Sequence, residues 1–289
     1  MGVFDGVHRG HRKILKSVVR QARKIKGTSV VLTFWPHPQK EASLYSLDHR
    51  LRLFKDLGIG TCIVIDFNSR FSRISAGTFI KNILVDKIGS AYVYIGRDFR
   101  FGRNARGDAN LLRRLAEIYK FRVKRFAIIR VNQKPISSTI IRRLIKKGKL
   151  LASEKLLGRR VSVLGSVIKG TRLGHQIGYP TANINPHHEV IPPAGIYAVQ
   201  IIFSGKKYNG ICYIGRRPTI DAINKPIQIE VHIFDFHKNI YGKLLEIQFV
   251  KLIRLDRRFA TLEDLSIQIQ KDIISCRKIL KPLFKHHNS

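Results

Sequence analysis

The apolar residues of this 289-residue chain change rhythm once, near residue 157, and that change limits the fold more than any single motif. Before it, helix-like and strand-like segments alternate. After Val7, the residues Ile14, Leu15, Val18, Val19, Ala22 and Ile25 recur at helical spacing, and SVVLTF (29–34) reads as a buried strand. LDHRLRLFKDLG (47–58) is a helix closed by glycine, TCIVIDF (61–67) a strand, and SAGTFIKNILVDKIG (75–89) a helix capped by Ser75 and ended by Gly89. AYVYIG (91–96), a polar helix near 108–118, FRVKRFAII (121–129) and STIIRRLIKKG (138–148) extend the series. Such alternation predicts a parallel, doubly wound α/β sheet, whose ligands bind at the carboxyl ends of the strands.

Beyond residue 157 the segments VSVLGSVI, GIYAVQIIF, KKYNGICYIG, QIEVHIFDF and LLEIQFVKLI are short strands separated by glycine, proline or polar turns. That spacing predicts an all-β barrel or sandwich. One helix closes the chain, with Thr261 as its cap and a carboxylate three residues on. The expected organisation is α/β over 1–157 and β over 158–289, joined around 153–159.

Charge narrows the ligands. Lys+Arg 54 against Asp+Glu 19 gives +35, divided as +24 over 1–157 and +11 over 158–289. Such a field attracts polyanions: nucleotides, phosphorylated metabolites, nucleic acid or an anionic membrane. A general Lys/Arg bias with solvated charges accounts for it equally well, because the basic residues are scattered through every segment. The longest apolar runs are strand-length, too short to cross a bilayer, and the N-terminus lacks the order of a secretory signal. Cys62, Cys212 and Cys276 stand far apart without metal-ligand spacing, which fits a reducing cytoplasm rather than a zinc or disulfide framework.

In GVFDGVHRGH (2–11) the glycines permit a tight turn and set His8 and His11 on the first turn of a helix, three apart on one face. Main-chain N–H groups and the positive dipole end suit phosphate there, and favour neutral imidazoles that donate hydrogen bonds. The alternative is two surface histidines near a glycine. GVFDGVHRGH is followed, in order, by TFWPHP (33–38), GRDFRFG (96–102) and ISSTIIR (136–142). These four motifs resemble those of the bacterial bifunctional riboflavin kinase/FAD synthetases, within the HxGH nucleotidylyltransferases. The resemblance implies a Rossmann-like adenylyltransferase domain that joins FMN to the α-phosphate of ATP and releases pyrophosphate, by positioning and charge stabilisation. It implies that His8 and His11 hold ATP phosphates, with Gly2, Phe4 and Gly10 in the ATP loop. Ser138, Thr139 and Arg142 would take the pyrophosphate, and Phe34, His37, Asp98 and Phe101 the flavin. For Phe34 and Phe101 plain core packing is an equal alternative.

KGTRLGHQIGYPTANI (169–184) is a glycine-rich turn running into an extended Pro-Thr-Ala-Asn. Thr181 and Asn183, two apart, share one face and offer hard oxygens suited to Mg²⁺. In QIEVHIFDF (228–236) Glu230 is a lone acid, with His232 on its face and Ile229 and Val231 on the other. Both stretches resemble the flavokinase module of the same family, a Greek-key β-barrel with a C-terminal helix. The resemblance implies that Thr181 and Asn183 bind Mg-ATP, with Lys169, Gly170 and Gly174 in the ATP turn, and that Glu230 is the base for the riboflavin hydroxyl. A polar turn and a solvent-facing Glu230 are the bland alternatives, and His232 reads as packing or support. GRRPTI (215–220), NIYG (239–242) and the LIRLDRRFATLEDL run would shape the flavin pocket.

The implied protein is a cytoplasmic enzyme, monomeric or weakly self-associating, with ATP, riboflavin, FMN and FAD as its small-molecule partners. It has no specific nucleic acid or membrane partner. Two other readings are a kinase with an inactive first domain and a basic nucleic-acid binder. Three departures from the family pattern stand out. Only Met1 precedes Gly2, so the family's first, central strand is expected to be missing, through a start upstream or a fold that closes around the gap. Pro135 replaces a frequent basic residue, which Lys134 could supply. His175 stands where arginine is usual, which would weaken ATP binding.

Overall fold

The computed structural model describes residues 1–36, 43–131, 133–170, 178–187, 189–215 and 227–281. The chain divides into two compact units, one of Met1–Ser43 with Leu47–Ser138 and one of Leu44–Ser46 with Thr139–Ser289.

The first unit begins with α1 (Arg9–Lys24), which buries Ile14, Leu15, Val19 and Ala22 on one face as the helical period requires. There follow β1 (Val30–Trp35), α2 (Leu47–Asp56), β2 (Thr61–Asp66), the single turn α3 (Ser69–Ser72) and α4 (Ala76–Thr78). Ser75 caps α4 by accepting from Thr78 N–H, and the helix widens into a π-helix over Phe79–Lys87. β3 (Tyr92–Gly96), α5 (Ala109–Ile118, capped by Asp108), β4 (Arg122–Phe126) and the two-residue ribbon strands β5 (Arg130–Val131) and β6 (Lys134–Pro135) complete it. β4 is shorter than the expected 121–129, and Arg122, Lys124 and Arg125 within it are exposed.

The sheet is not continuous among the described residues. β1 pairs in parallel with β2, and β3 with β4, as two separate two-stranded sheets. Residues 1–3 run between β1 and β3. Gly2 N–H donates to Leu32 O of β1 at 3.1 Å, and the Met1 amine to Tyr94 O of β3 at 2.9 Å. The core packs Leu32, Phe34, Phe79, Ile80, Ile95, Phe101 and Leu112, so apolar burial joins what the ladder leaves apart.

The second unit contains α6 (Ser138–Lys146) after its first residue, then α7 (Leu150–Leu157), closed by Gly158 in the left-handed conformation. α7 occupies most of the stretch expected to be a connector; its signal was a leucine-rich run ending in glycine. The strands β7 (Ser162–Ile168), β8 (Ala182–Asn185), β9 (Gly195–Phe203), β10 (Lys206–Gly215), β11 (Gln228–Ile233) and β12 (Leu244–Leu255) form a closed antiparallel barrel in the order β10-β11-β8-β7-β12-β9. Val199, Ile201, Cys212, Ile229, Val231 and Ile247 fill its interior. The closing helix α8 (Leu262–Leu280), capped by Thr261, covers Ile196, Ala198 and Ile211 on the outside with Cys276 and Leu280.

The inserted segment Leu44–Ser46 is buried in this second unit. Glu189 accepts from Ser46 N–H (2.8 Å), Ser46 Oγ (2.6 Å) and Leu164 N–H (3.0 Å). The Arg159 guanidinium lies 4.9 Å from the Tyr45 ring centroid. Glu189→Ala strands three buried donors at about 1–3 kcal/mol each. The urea transition of this unit should lose at least about 3 kcal/mol, while Lys206→Ala on an exposed strand end changes it by less than about 0.5 kcal/mol.

Candidate active sites

Residues 4–8 make a backbone turn that ordinary residues resist. Phe4 (φ 54°), Gly6 (φ 77°) and Val7 (φ 38°) all have positive φ, and for a β-branched side chain that is an outlier. Such strain survives only where surrounding contacts over-determine it. Val7 N–H donates to Phe4 O at 3.0 Å, and Ser138 Oγ of the ISST motif donates to Asp5 O at 2.8 Å. Phe4 packs edge-on to Phe54 of α2, and Arg50 of the same helix sends Nη1 to Val3 O (2.7 Å) and Thr33 Oγ1 (3.3 Å). Arg50 is 1% exposed; burial pulls its guanidinium pKa down, and the Asp5 carboxylate opposes that. The sequence reading missed Arg50, whose only signal is a basic residue on the apolar side of a helix.

His8 is not on the first helical turn but one residue ahead, as the N-cap of α1. Its Nδ1 accepts from His11 N–H at 3.3 Å, so the neutral ring carries its proton on Nε2. The two imidazoles stack 3.6 Å apart at 20°, with Phe4 edge-on to His11. A Cβ on Gly10 would sit 3.0 Å from the His8 ring, so glycine lets that ring lie against the helix start. The pair thus converges as expected, through a cap and a stack rather than a shared helical face. Gly2 faces the Phe4 ring. Ser138 heads α6; Thr139 is exposed and Arg142 buried along it.

The flavin candidates separate by burial. Phe34 and Phe101 lie in the core, Phe34 against Phe67 and Phe71, Phe101 against Phe79 and stacked on Phe99. Asp98 is exposed, and His37 lies outside the described residues.

The second site is on the outer face of the barrel. Glu230 of β11 stands between Asn183 of β8 and Tyr213 of β10 in the cross-strand register. Its neighbours Ile229 and Val231 are buried inside. Thr181 Oγ1 donates to Glu230 Oε2 at 3.2 Å, and His232, next on this face, contacts Pro180 O through Nδ1 at 2.8 Å. Tyr213, also missed from sequence, donates to Asp256 Oδ2 at 3.1 Å. Burial, with the carboxylates of Asp256 and Glu230, pushes its phenol up to about 12, so it stays protonated beside Glu230. Lys169 and Gly170 are exposed in the turn after β7, and a Cβ on Gly170 would fall 1.9 Å from Asn183 Nδ2. The Asn183 amide therefore occupies space that only glycine leaves. Gly174, His175 and 216–220 lie outside the described residues. Between β12 and α8, Arg254 at the strand end and Arg257 flank the Phe259 ring.

Comparison with known proteins matches residues 1–140 to the FAD synthetase family and 157–280 to the riboflavin kinase family. The chain is 36% identical over 287 residues to a bifunctional riboflavin kinase/FMN adenylyltransferase of Buchnera aphidicola subsp. Schizaphis graminum, covering 96% of this chain and 92% of the relative. It is 34% identical over 286 residues to the protein of that name from Escherichia coli K12, covering 96% and 91%. A crystal structure described as a macrolide-efflux protein from Streptococcus pneumoniae has a TM-score of 0.81 at 28% identity, covering 96% of this chain and 92% of that one.

Gly170→Ala should displace the Asn183 side chain. The Asn183 amide pair in a ¹⁵N correlation spectrum should shift, with little change elsewhere in the barrel; an unmoved pair would show that the turn yields instead.

Proposed function

The chain belongs to the family of bifunctional riboflavin kinase/FMN adenylyltransferases, and from that premise we propose how its residues divide the work. It is an enzyme of two activities: it phosphorylates riboflavin to FMN with ATP, then adenylylates FMN to FAD with release of pyrophosphate. The kinase is assigned to 158–289 and the adenylyltransferase to 1–157. Matches to both halves leave less behind the readings of a lone kinase or a nucleic-acid binder.

The observation that carries the kinase assignment is the 3.2 Å hydrogen bond between Thr181 and Glu230, which are 49 residues apart in sequence. Glu230 acts as the base. It takes the proton of the ribityl 5′-hydroxyl as that oxygen bonds the γ-phosphorus of ATP and ADP leaves. Thr181 and Asn183 hold Mg²⁺ with ATP. Their hydroxyl and amide oxygens are the hard donors this ion takes, and the cradle left by Gly170 gives Asn183 its place. When bound, the ion supplies charge neutralisation on the phosphates. Lys169, Gly170 and Gly174 line the phosphate turn.

For adenylyl transfer, an FMN phosphate oxygen attacks the α-phosphorus of ATP and pyrophosphate departs. His8 and His11 act as neutral donors to the ATP phosphates, a state supported by His8 Nδ1 being an acceptor and by the stacked rings, which two cations would disfavour. Gly2, Phe4 and Gly10 shape that loop, and Ser138, Thr139 and Arg142 take the pyrophosphate. Phe34 and Phe101 back the flavin end from the core, with His37 and Asp98 completing it. We place the enzyme, as a monomer or weak homo-oligomer, in the cytoplasm, in keeping with three free thiols. Among the described residues no helix is long and apolar enough to cross a membrane.

A chromatographic time course with riboflavin, ATP and Mg²⁺ should give FMN and then FAD; neither product from folded protein would refute the assignment. Glu230→Gln should slow FMN formation at least about a hundredfold while ATP still binds. His11→Ala should abolish FAD formation and leave FMN formation intact; loss of both would argue against two separate sites.

A further inference from the structure

We infer that His232 is a positioning residue for the kinase site, acting through the carbonyl of Pro180; this rests on the kinase reading above. The β8–β11 ladder pairs Ile184 with Ile229, Asn183 with Glu230 and Ala182 with Val231, and the described pairing stops there. Just past it come Thr181, which must present its hydroxyl to Glu230, and Pro180, which has no N–H to continue a ladder. The His232 side chain takes over. Its Nδ1 lies 2.8 Å from Pro180 O, and since a carbonyl only accepts, Nδ1 carries the proton. Tyr179 and Phe234 meet the ring edge-on at 5.8 and 5.7 Å and fix its plane. One imidazole N–H of β11 thus supplies a donor to the Pro180 carbonyl just beyond the end of the ladder, and holds the residue before Thr181. Without it the Thr181 hydroxyl loses its fixed distance to Glu230, and a bound Mg²⁺ would lose one ordered ligand. His232 touches no reacting atom in this scheme.

The test exploits amide mimics of the two ring nitrogens. The amide NH₂ of asparagine falls near Nδ1, whereas that of glutamine reaches toward Nε2. His232→Ala and His232→Gln should raise the half-saturating Mg²⁺ concentration for FMN formation by about five- to tenfold, the worth of one hydrogen bond. Turnover at saturating Mg²⁺ should stay within about threefold of wild type, since the base itself is kept. His232→Asn should restore the Mg²⁺ response. Mn²⁺ binding in the presence of a non-hydrolysable ATP analogue, read by electron paramagnetic resonance without riboflavin, should rank the variants in the same order. Asparagine no better than alanine, or metal affinity unchanged while only thermal stability falls, would overturn the inference. So would a ¹⁵N spectrum of the wild-type imidazole showing Nδ1 unprotonated, a measurement that needs no variant to fold. Wild-type protein that makes no FMN would instead bring down the kinase reading, and this inference with it.

Discussion

Three successive pairs of backbone partners, Ile229 with Ile184, Glu230 with Asn183 and Val231 with Ala182, determine where the second site can exist. Strand side chains alternate between faces, so a slip of one residue would send Glu230 into the barrel and Ile229 out. The apolar cost of that slip is large, because Ile229 and Val231 are each 1% exposed among Cys212, Ile214 and the facing strands. Hydrophobic burial on the inside therefore sets the register, and the register delivers a carboxylate, a hydroxyl and an amide to one patch outside. α8 seals the neighbouring part of that surface over Ile196, Ala198 and Ile211, and leaves the patch at its border.

The first site is organised differently, by strain held in place. Positive φ at Phe4 and Val7 is uphill, while Gly6 adopts it freely, and the turn is retained by contacts from two distant parts of the same unit: α2, through Arg50 and Phe54, and Ser138. A turn restrained from so many sides keeps the capping histidine and its stacked neighbour aligned before any ligand arrives. That is the preorganisation on which positional catalysis depends.

Much of this was legible in the residues. Helix and strand periods identified most elements, and the alternation in QIEVHI placed Glu230 and His232 on one face. What escaped were contacts that no local pattern encodes. His8 was read as part of a helix because three-residue spacing suggests a shared face; its side chain instead satisfies the helix start, a role histidine seldom takes. Arg50 and Glu189 carry no local signal of burial, and only tertiary partners on distant segments explain it. α7 lies where a connector is expected, since its leucines lack a clean polar face. Nor does any local pattern announce the two hydrogen bonds by which residues 1–3 link β1 and β3.

The threading of Leu44–Ser46 into the second unit has a consequence for synthesis. Ser46 leaves the ribosome 143 residues before the carboxylate that will accept its N–H. At about 5–20 residues per second that is a wait of roughly seven to thirty seconds. During it the segment leading into α2 lacks its final anchor, although α2 carries Arg50 and Phe54 for the histidine turn. The anchoring of Leu44–Ser46 is thus timed by translation of the strand and turn that hold it, not by its own synthesis.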